Sequence, residues 1–572
     1  MGRAATGSAT GLGSTPLGGP ESVLEVIGAA NASTRLLEGS ATSTQIVRDS
    51  LAHIERTDAA LHSFITVAAE RALAEAVAAD RDIAAGRRRS ALHGVPFAVK
   101  DNYDTEGMVT TAGSRLRLQH IPDRDASLVA RLRSAGAILL GKLATWEYGT
   151  GNGGEYFDLP FSPARNPWDM RRYTGGSSTG AGAAVAAGLT PIALGSDTTG
   201  SVRLPAAATG TVGLMPTAGL LDADGILPNT FSLDRPGVLT WTVEDCALVT
   251  NVLLDDAGID LHAACTGPVR GMRVGVVRSP GPGFPEPDAP LAAALNDGLA
   301  VLRELGVCLE ETDLPIGASE CFDITRMIGP AETAALHEEE LRETPSKLGF
   351  AFRDKLLAGS AIRAVDYIAA LRRRAVVAEQ MRALMQRYDA LITFGALHMP
   401  PLLGVEPDMT RFTVDTMLTP FNLSGQPALV QCNGLSADGL PTHWQLAARH
   451  GGEAQLFRLA AAYEAATQWR TRRPDLNQQQ HEAVGSRPAA PPPRSACATA
   501  DLAAGRAQAA RLRLSTLCDA DIARLGAIRI AQEEAGAALP RVSDKRVRPF
   551  DVARPVQGAA IGSPDGVHNQ HN

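Results

Sequence analysis

The chain has 572 residues, of which 45% are hydrophobic and 20% charged, an ordinary globular composition that can bury a large core. A net charge of −8 with no basic run of five excludes a nucleic-acid phosphate backbone as principal partner, and no stretch of about 18 apolar residues is present to span a bilayer. Seven cysteines, at positions 246, 265, 308, 321, 432, 497 and 518, contain no C-x-x-C pair and sum to an odd number. Neither a disulfide framework nor a structural zinc site is therefore expected, and the reading is a reducing, cytoplasmic compartment.

Residues 1–21 form a Gly/Ser/Thr-rich leader without the apolar segment of a signal peptide and are expected to be disordered. Met1 to Thr6 fits the N-myristoylation pattern, a match that a glycine-rich leader readily produces by chance. Thr42 and Gln45 have capping-box spacing ahead of Ile46, Val47, Leu51 and Ile54, which predicts a helix; a second, over about 69–85, ends at Gly86. The run from His93 to Asn102 gives a short strand, apolar from Val95 to Val99, that ends in Lys100-Asp101-Asn102. A helix over 125–136, a strand over 137–140 and the glycine-rich segment from Tyr148 to Gly154 follow.

The stretch from Thr174 to Pro205 carries two serine-bearing turns separated by a small-residue helix (181–187, stopped at Gly188) and a buried strand (191–194). That strand empties into Gly195-Ser196-Asp197-Thr198-Thr199-Gly200-Ser201, a turn whose successive backbone N–H groups suit a developing oxyanion. Further on, strands are predicted at 272–277, 307–309, 390–393, 428–432 and 442–447. Helices are predicted at 290–305, over long parts of 319–387, and at 453–469. Strands alternating with helices over more than 400 residues indicate an α/β fold, a large mixed β-sheet covered by helices on both faces.

A serine hydrolase requires a base. Gly176-Ser177-Ser178-Thr179-Gly180 fits G-x-S-x-G and would make Ser178 the nucleophile with a histidine, but the charged, proline-broken residues before it do not form the strand that motif requires. The other route is a neutral lysine, which burial provides by disfavouring the ammonium form, and Lys100 is the candidate. The chain resembles the amidase signature family of serine hydrolases in His93-Gly94-Val95-Pro96, Lys100-Asp101-Asn102, Thr111-Ala112-Gly113-Ser114, Asn166-Pro167-Trp168 and Gly175 to Gly180. The likeness continues through Gly195 to Ala207, Gly213 to Thr217 and Phe421 to Pro427, and covers residues 22–474.

The resemblance implies that Ser201 is the nucleophile, Ser177 the bridging serine with a cis peptide before it, and Lys100 the base. It further implies an oxyanion hole from the backbone N–H groups of Thr198, Thr199, Gly200 and Ser201, with Ser178, Asp197 and Arg203 as supports. Thr179 and Thr199 stand where family members often carry glycine, which narrows the space beside the nucleophile. Neutral Lys100 requires Asp101 to face away from it. The implied function is an amidohydrolase without metal or organic cofactor, cleaving a small soluble carboxamide through a Ser acyl-enzyme. The alternative is the glutamine-hydrolysing component of an aminoacyl-tRNA amidotransferase complex. One pocket wall is expected at 148–158.

From Pro474 the composition changes to Gln478-Gln479-Gln480 and Pro491-Pro492-Pro493, and helix-like spacing returns over 500–538. Residues 475–572 are read as a linker and a small helical or disordered tail, dispensable for chemistry, through which a homodimer or a small partner docks.

Overall fold

In the computed structural model, which describes residues 28–151, 158–254, 260–476, 499–514, 516–545 and 547–549, the apolar strands assemble into a single eleven-stranded sheet. In chain order they are β1 (Phe64–Val67), β2 (Pro96–Lys100), β3 (Ile138–Leu143), β4 (Ile192–Asp197), β5 (Val212–Met215) and β6 (Arg235–Thr240). They continue as β7 (Arg273–Val276), β8 (Cys308–Glu311), β9 (Ala390–Thr393), β10 (Ala428–Leu435) and β11 (Pro441–Ala447). Side by side the order is β1-β3-β2-β4-β6-β5-β10-β11-β9-β7-β8. β2 runs parallel to β3 and β4, and β7 to β8 and β9, whereas β6, β5, β10 and β11 pair antiparallel with their neighbours. The sheet is thus mixed, as the alternation of elements predicts.

Successive side chains of a strand point to opposite faces, and both faces here are buried. Phe97 and Val99 of β2, Ile192 and Leu194 of β4 and Leu429 of β10 enter one apolar cluster. Their neighbours Ala98, Ala193 and Val430 enter another. Because β2 and β4 are parallel and paired through Ala98↔Ala193 and Val99↔Leu194, their carboxyl ends emerge together, which is where ligands sit in α/β sheets. Lys100 ends one strand and Asp197 the other.

The helix Thr179–Ala186 consists of small residues that are all buried. A Cβ on Gly180 would lie 2.2 Å from the Ser63 carbonyl oxygen, so only glycine permits this helix to approach that closely. Thr42 caps the predicted helix Ser43–Leu61 by accepting from Gln45 N at 3.1 Å.

Three features differ from the sequence reading. β1, β5 and β6 are not predicted; β6 opens Arg235-Pro236-Gly237, in which the Pro-Gly pair reads as a turn, yet it lies between β4 and β5. The expected loop at 419–427 contains a short helix, Thr419–Ser424. In the tail, the helices Thr499–Arg511 and Asp519–Ala538 pack against each other, and the second also packs against the helix Phe350–Ala361. The leader and the Gln- and Pro-rich segments lie outside the described residues, within which no helix is long and apolar enough to cross a membrane.

Candidate active site

Lys100 is fully buried at the end of β2, and its Nζ donates to Ser177 Oγ at 2.7 Å and to Ser196 Oγ at 2.9 Å. Asn102 Nδ2 donates to the same Ser196 hydroxyl at 3.1 Å. Burial brings the Lys100 ammonium down from its ordinary 10.5 to about 7, against the opposing pull of the Asp234 and Asp197 carboxylates. Near neutrality a substantial fraction of Lys100 is therefore a free amine. Asp101 turns away, as a neutral Lys100 requires. Its Oδ1 lies 3.2 Å from Lys142 Nζ, and its Oδ2 accepts from Thr111 N at 2.9 Å and from the Thr111 hydroxyl.

The second component is the turn after β4. Asp197 accepts from Gly200 N at 2.8 Å, Val202 N at 3.1 Å and Asn422 Nδ2 at 2.8 Å, and pairs with Arg203 at 2.9 Å. Burial opposes its charge, but Arg203 and these donors hold the carboxyl well below its usual range. Arg203 is itself fully buried and donates onward to Leu418 O at 2.9 Å, Gln445 Oε1 at 2.7 Å and Asn422 Oδ1. These contacts together fix the backbone that presents Ser201. The Gly200 N–H, one of the donors expected for an oxyanion, donates here to Asp197 Oδ1.

The peptide between Gly176 and Ser177 is cis. Ser178 is fully buried at the start of the helix Thr179–Ala186, its backbone N–H donating to Ser201 O at 3.1 Å and its hydroxyl to Ser196 O at 3.4 Å. Among the described residues neither of these bonds involves a histidine, so the G-x-S-x-G reading gains no support from them. Thr179 is buried, while Thr199 is exposed beside Ser201.

Ser201, Thr198, Thr199 and Gly200 open onto a cavity of about 300 Å³. Its other walls include Trp146, Asn229, Arg326, Asp354 and Lys355, and no histidine is among its described lining residues. Of the pocket wall expected at 148–158, Gly149, Thr150 and Gly151 line the cavity and residues 152–157 lie outside the described residues. Tyr148 instead turns inward and stacks on Phe352, ring centroids 4.9 Å apart.

Sequence reasoning missed Ser196, Asp234, Asn229 and Lys355. Asp234 accepts from Thr198 Oγ1 at 2.6 Å, Asn229 N at 2.7 Å and Thr230 N at 2.9 Å, tying the Ser201 turn to the 229–234 loop. Lys355 donates to Asn229 Oδ1, and burial lowers its ammonium to about 8. Asp234, Asn229 and Lys355 stand in no motif. Ser196 alone had a sequence signal, its alternation with Asp197 at the end of a strand.

The Amidase family matches residues 45–457. The chain is 36% identical over 482 residues to a subunit of the Glutamyl-tRNA(Gln) amidotransferase of Chloroflexus aggregans (strain MD-66 / DSM 9485), covering 78% of this chain and 97% of that one. It superposes with a TM-score of 0.71 and 30% identity on an inhibitor-bound chain from a vestigial protein complex tied to the origins of an s-triazine catabolic enzyme, over 77% of this chain and 98% of that one. It likewise superposes on 6-aminohexanoate cyclic dimer hydrolase complexed with substrate, with a TM-score of 0.71 and 26% identity, over 79% of this chain and 99% of that one. With a match across most of its length and the amidase signature fold around its two serines, the chain belongs to the Amidase family, hydrolases of the amide C–N bond.

Proposed function

We propose that Ser201 is the nucleophile of an amidohydrolase in which Lys100 is the base and Ser177 the relay. Ser201 Oγ attacks the carboxamide carbon while its proton passes to Ser177 Oγ, and the Ser177 proton passes to the neutral Lys100 Nζ. The backbone N–H groups of Thr198, Thr199 and Ser201 receive the oxyanion, with Gly200 serving the turn rather than the charge. Collapse breaks the C–N bond; the leaving amine takes a proton returned from Lys100 through Ser177, and water then cleaves the acyl-Ser201 ester to the carboxylate. Ser178, Asp197 and Arg203 hold the turn. The observation that carries this reading is the buried Lys100 amine, brought to about 7 and 2.7 Å from Ser177 Oγ.

Two substrate settings follow from the relatives. Eight curated relatives, at 34–36% identity, are each the corresponding subunit of a Glutamyl-tRNA(Gln) amidotransferase, and this favours the second expectation over a stand-alone amidase. In that reading glutamine is the amide and partner chains receive the ammonia. Residues 22–474 would be the catalytic unit and 475–572 its appendage, and the free cysteines suit a reducing compartment. Ammonia release is measured from glutamine and from a carboxamide panel, with the purified chain alone and with aminoacyl-tRNA and amidotransferase partner subunits. The proposal expects ammonia from at least one carboxamide, abolished by Ser201→Ala. Glutaminase activity that appears only with the partners assigns the amidotransferase role, and release unaffected by Ser201→Ala overturns the chemistry.

A further inference from the structure

The helix Phe350–Ala361 forms one wall of the cavity through Ala351, Asp354 and Lys355. Its amino end is held by the catalytic core, since Glu147 Oε2 accepts from Gly349 N at 2.7 Å and Asp158 Oδ2 from Phe350 N at 2.6 Å. Further along, the C-terminal hairpin takes over. Arg524, on the helix Asp519–Ala538, donates from Nε and from one terminal guanidinium nitrogen to the two oxygens of Asp354, and its guanidinium lies 4.7 Å over the Phe350 ring. Arg353 pairs with Asp521 at 3.1 Å. Beneath these ion pairs Leu514, Leu517 and Leu525 of the tail share an apolar cluster with Tyr148, Phe352 and Leu356.

The contacts continue inward to the reacting turn. Lys355, next to Asp354, donates to Asn229 Oδ1; Asn229 Nδ2 donates to Gly149 O at 2.8 Å; and Asn229 N donates to Asp234, which holds Thr198. A bidentate, partly buried Arg–carboxylate pair is among the stronger and most direction-setting of side-chain contacts. A loose helix here would move Lys355 first, and the turn, held independently by Asp197 and Arg203, much less.

We infer that the C-terminal hairpin is a built-in support of the substrate cavity, and that Arg524 is a positioning residue that sets Asp354 and Lys355 against the bound amide. The tail is then not dispensable, contrary to what its place outside the family match suggests. The inference uses the amide-hydrolase reading of the cavity only for its kinetic consequence. Loss of the pair leaves Ser201, Ser177 and Lys100 in place, so the deficit falls on KM rather than kcat.

The test uses the full-length chain with Arg524→Ala, Arg524→Lys and the charge swap Asp354→Arg with Arg524→Asp. Hydrogen exchange is followed in peptides covering 350–361, with 203–209 as internal reference, and KM and kcat are measured on the amide that the wild-type chain hydrolyses best. In Arg524→Ala we expect exchange over 350–361 to rise about fivefold with 203–209 unchanged, and KM to rise about fivefold with kcat within twofold. Arg524→Lys should restore part of both and the charge swap should restore the exchange. Unchanged exchange overturns the inference, and so does faster exchange with an unchanged KM, since the hairpin would then be scaffold alone. If Arg524→Ala fails to fold, the charge swap against Asp354→Arg alone decides the same question. Were the wild-type chain to hydrolyse no amide, either alone or with amidotransferase partner subunits, the reading of the site would fall, while the exchange measurement would still decide whether Arg524 holds this wall.

Discussion

Replacing Lys100 with methionine should stabilise the protein near pH 7 while abolishing its activity, and the size of the effect follows from the burial of the amine. In the folded chain Lys100 loses its proton at about 7, against 10.5 ordinarily. At about 1.4 kcal/mol per pH unit this depression corresponds to about 5 kcal/mol spent at pH 7 on keeping the amine out of water. Between pH 7 and 10.5 the unfolded chain carries a proton on Lys100 that the folded chain lacks. Raising the pH therefore favours the folded wild type, by about 1.4 kcal/mol per unit, until the unfolded lysine also deprotonates. Lys100→Met removes that dependence but also removes the hydrogen bonds to Ser177 and Ser196, at about 1 kcal/mol each. The variant is thus expected to be about 3 kcal/mol more stable than wild type at pH 7 and about 2 kcal/mol less stable near pH 10.5. Urea unfolding followed by tryptophan fluorescence at about pH 7, 8, 9 and 10 gives the difference directly, and comparing the two chains cancels every other titrating group. Parallel stability profiles for the two would refute the reasoning, because Lys100 would then titrate alike folded and unfolded.

Three further outcomes follow. kcat/KM should rise tenfold per unit below about pH 7 and level off above it, and Asp234→Asn should move that limb to lower pH because the Asp234 carboxylate raises Lys100; a limb unmoved by Asp234→Asn would contradict this. Lys142→Met leaves the fully buried Asp101 without its counter-charge and should cost about 3 kcal/mol in chemical denaturation, with Asp101→Asn added to it recovering most of the loss. Gly176→Ala places a Cβ 2.3 Å from the Trp146 ring on the cavity wall, so activity should fall more than tenfold, with tryptophan fluorescence reporting the displaced ring.

The parts of the site that could be read from the sequence are those in which the chemistry is local to the chain. An apolar strand ending in a lysine, a helix of nothing larger than valine, and a strand emptying into Ser196-Asp197-Thr198 each announce their backbone within about ten residues, and the structure has all three. β6 was hidden because Pro236-Gly237 imitates a turn, although pairing on both sides places it within the sheet. Lys355, Asn229 and Asp234 were invisible for a different reason: the first two reach the cavity, and Asp234 reaches Thr198, from segments more than 25 residues beyond Ser201, and ordinary surface composition carries no sign of that. The commitment of Gly200 N to Asp197 is likewise a matter of where one carboxylate points. The docking of the tail rests on Leu514, Leu517 and Leu525 meeting Tyr148 and Phe352, apolar positions whose partners lie more than 150 residues away.

The central claim is that Ser201 carries the acyl group with Lys100 as its base, and trapping that group tests it most directly. An acid quench of the chain during turnover of its amide, followed by peptide mass mapping, should find the acyl adduct on Ser201. The adduct should be absent in Ser201→Ala and form several orders of magnitude more slowly in Lys100→Ala. An adduct on Ser178, or turnover that persists in Ser201→Ala, would contradict the account.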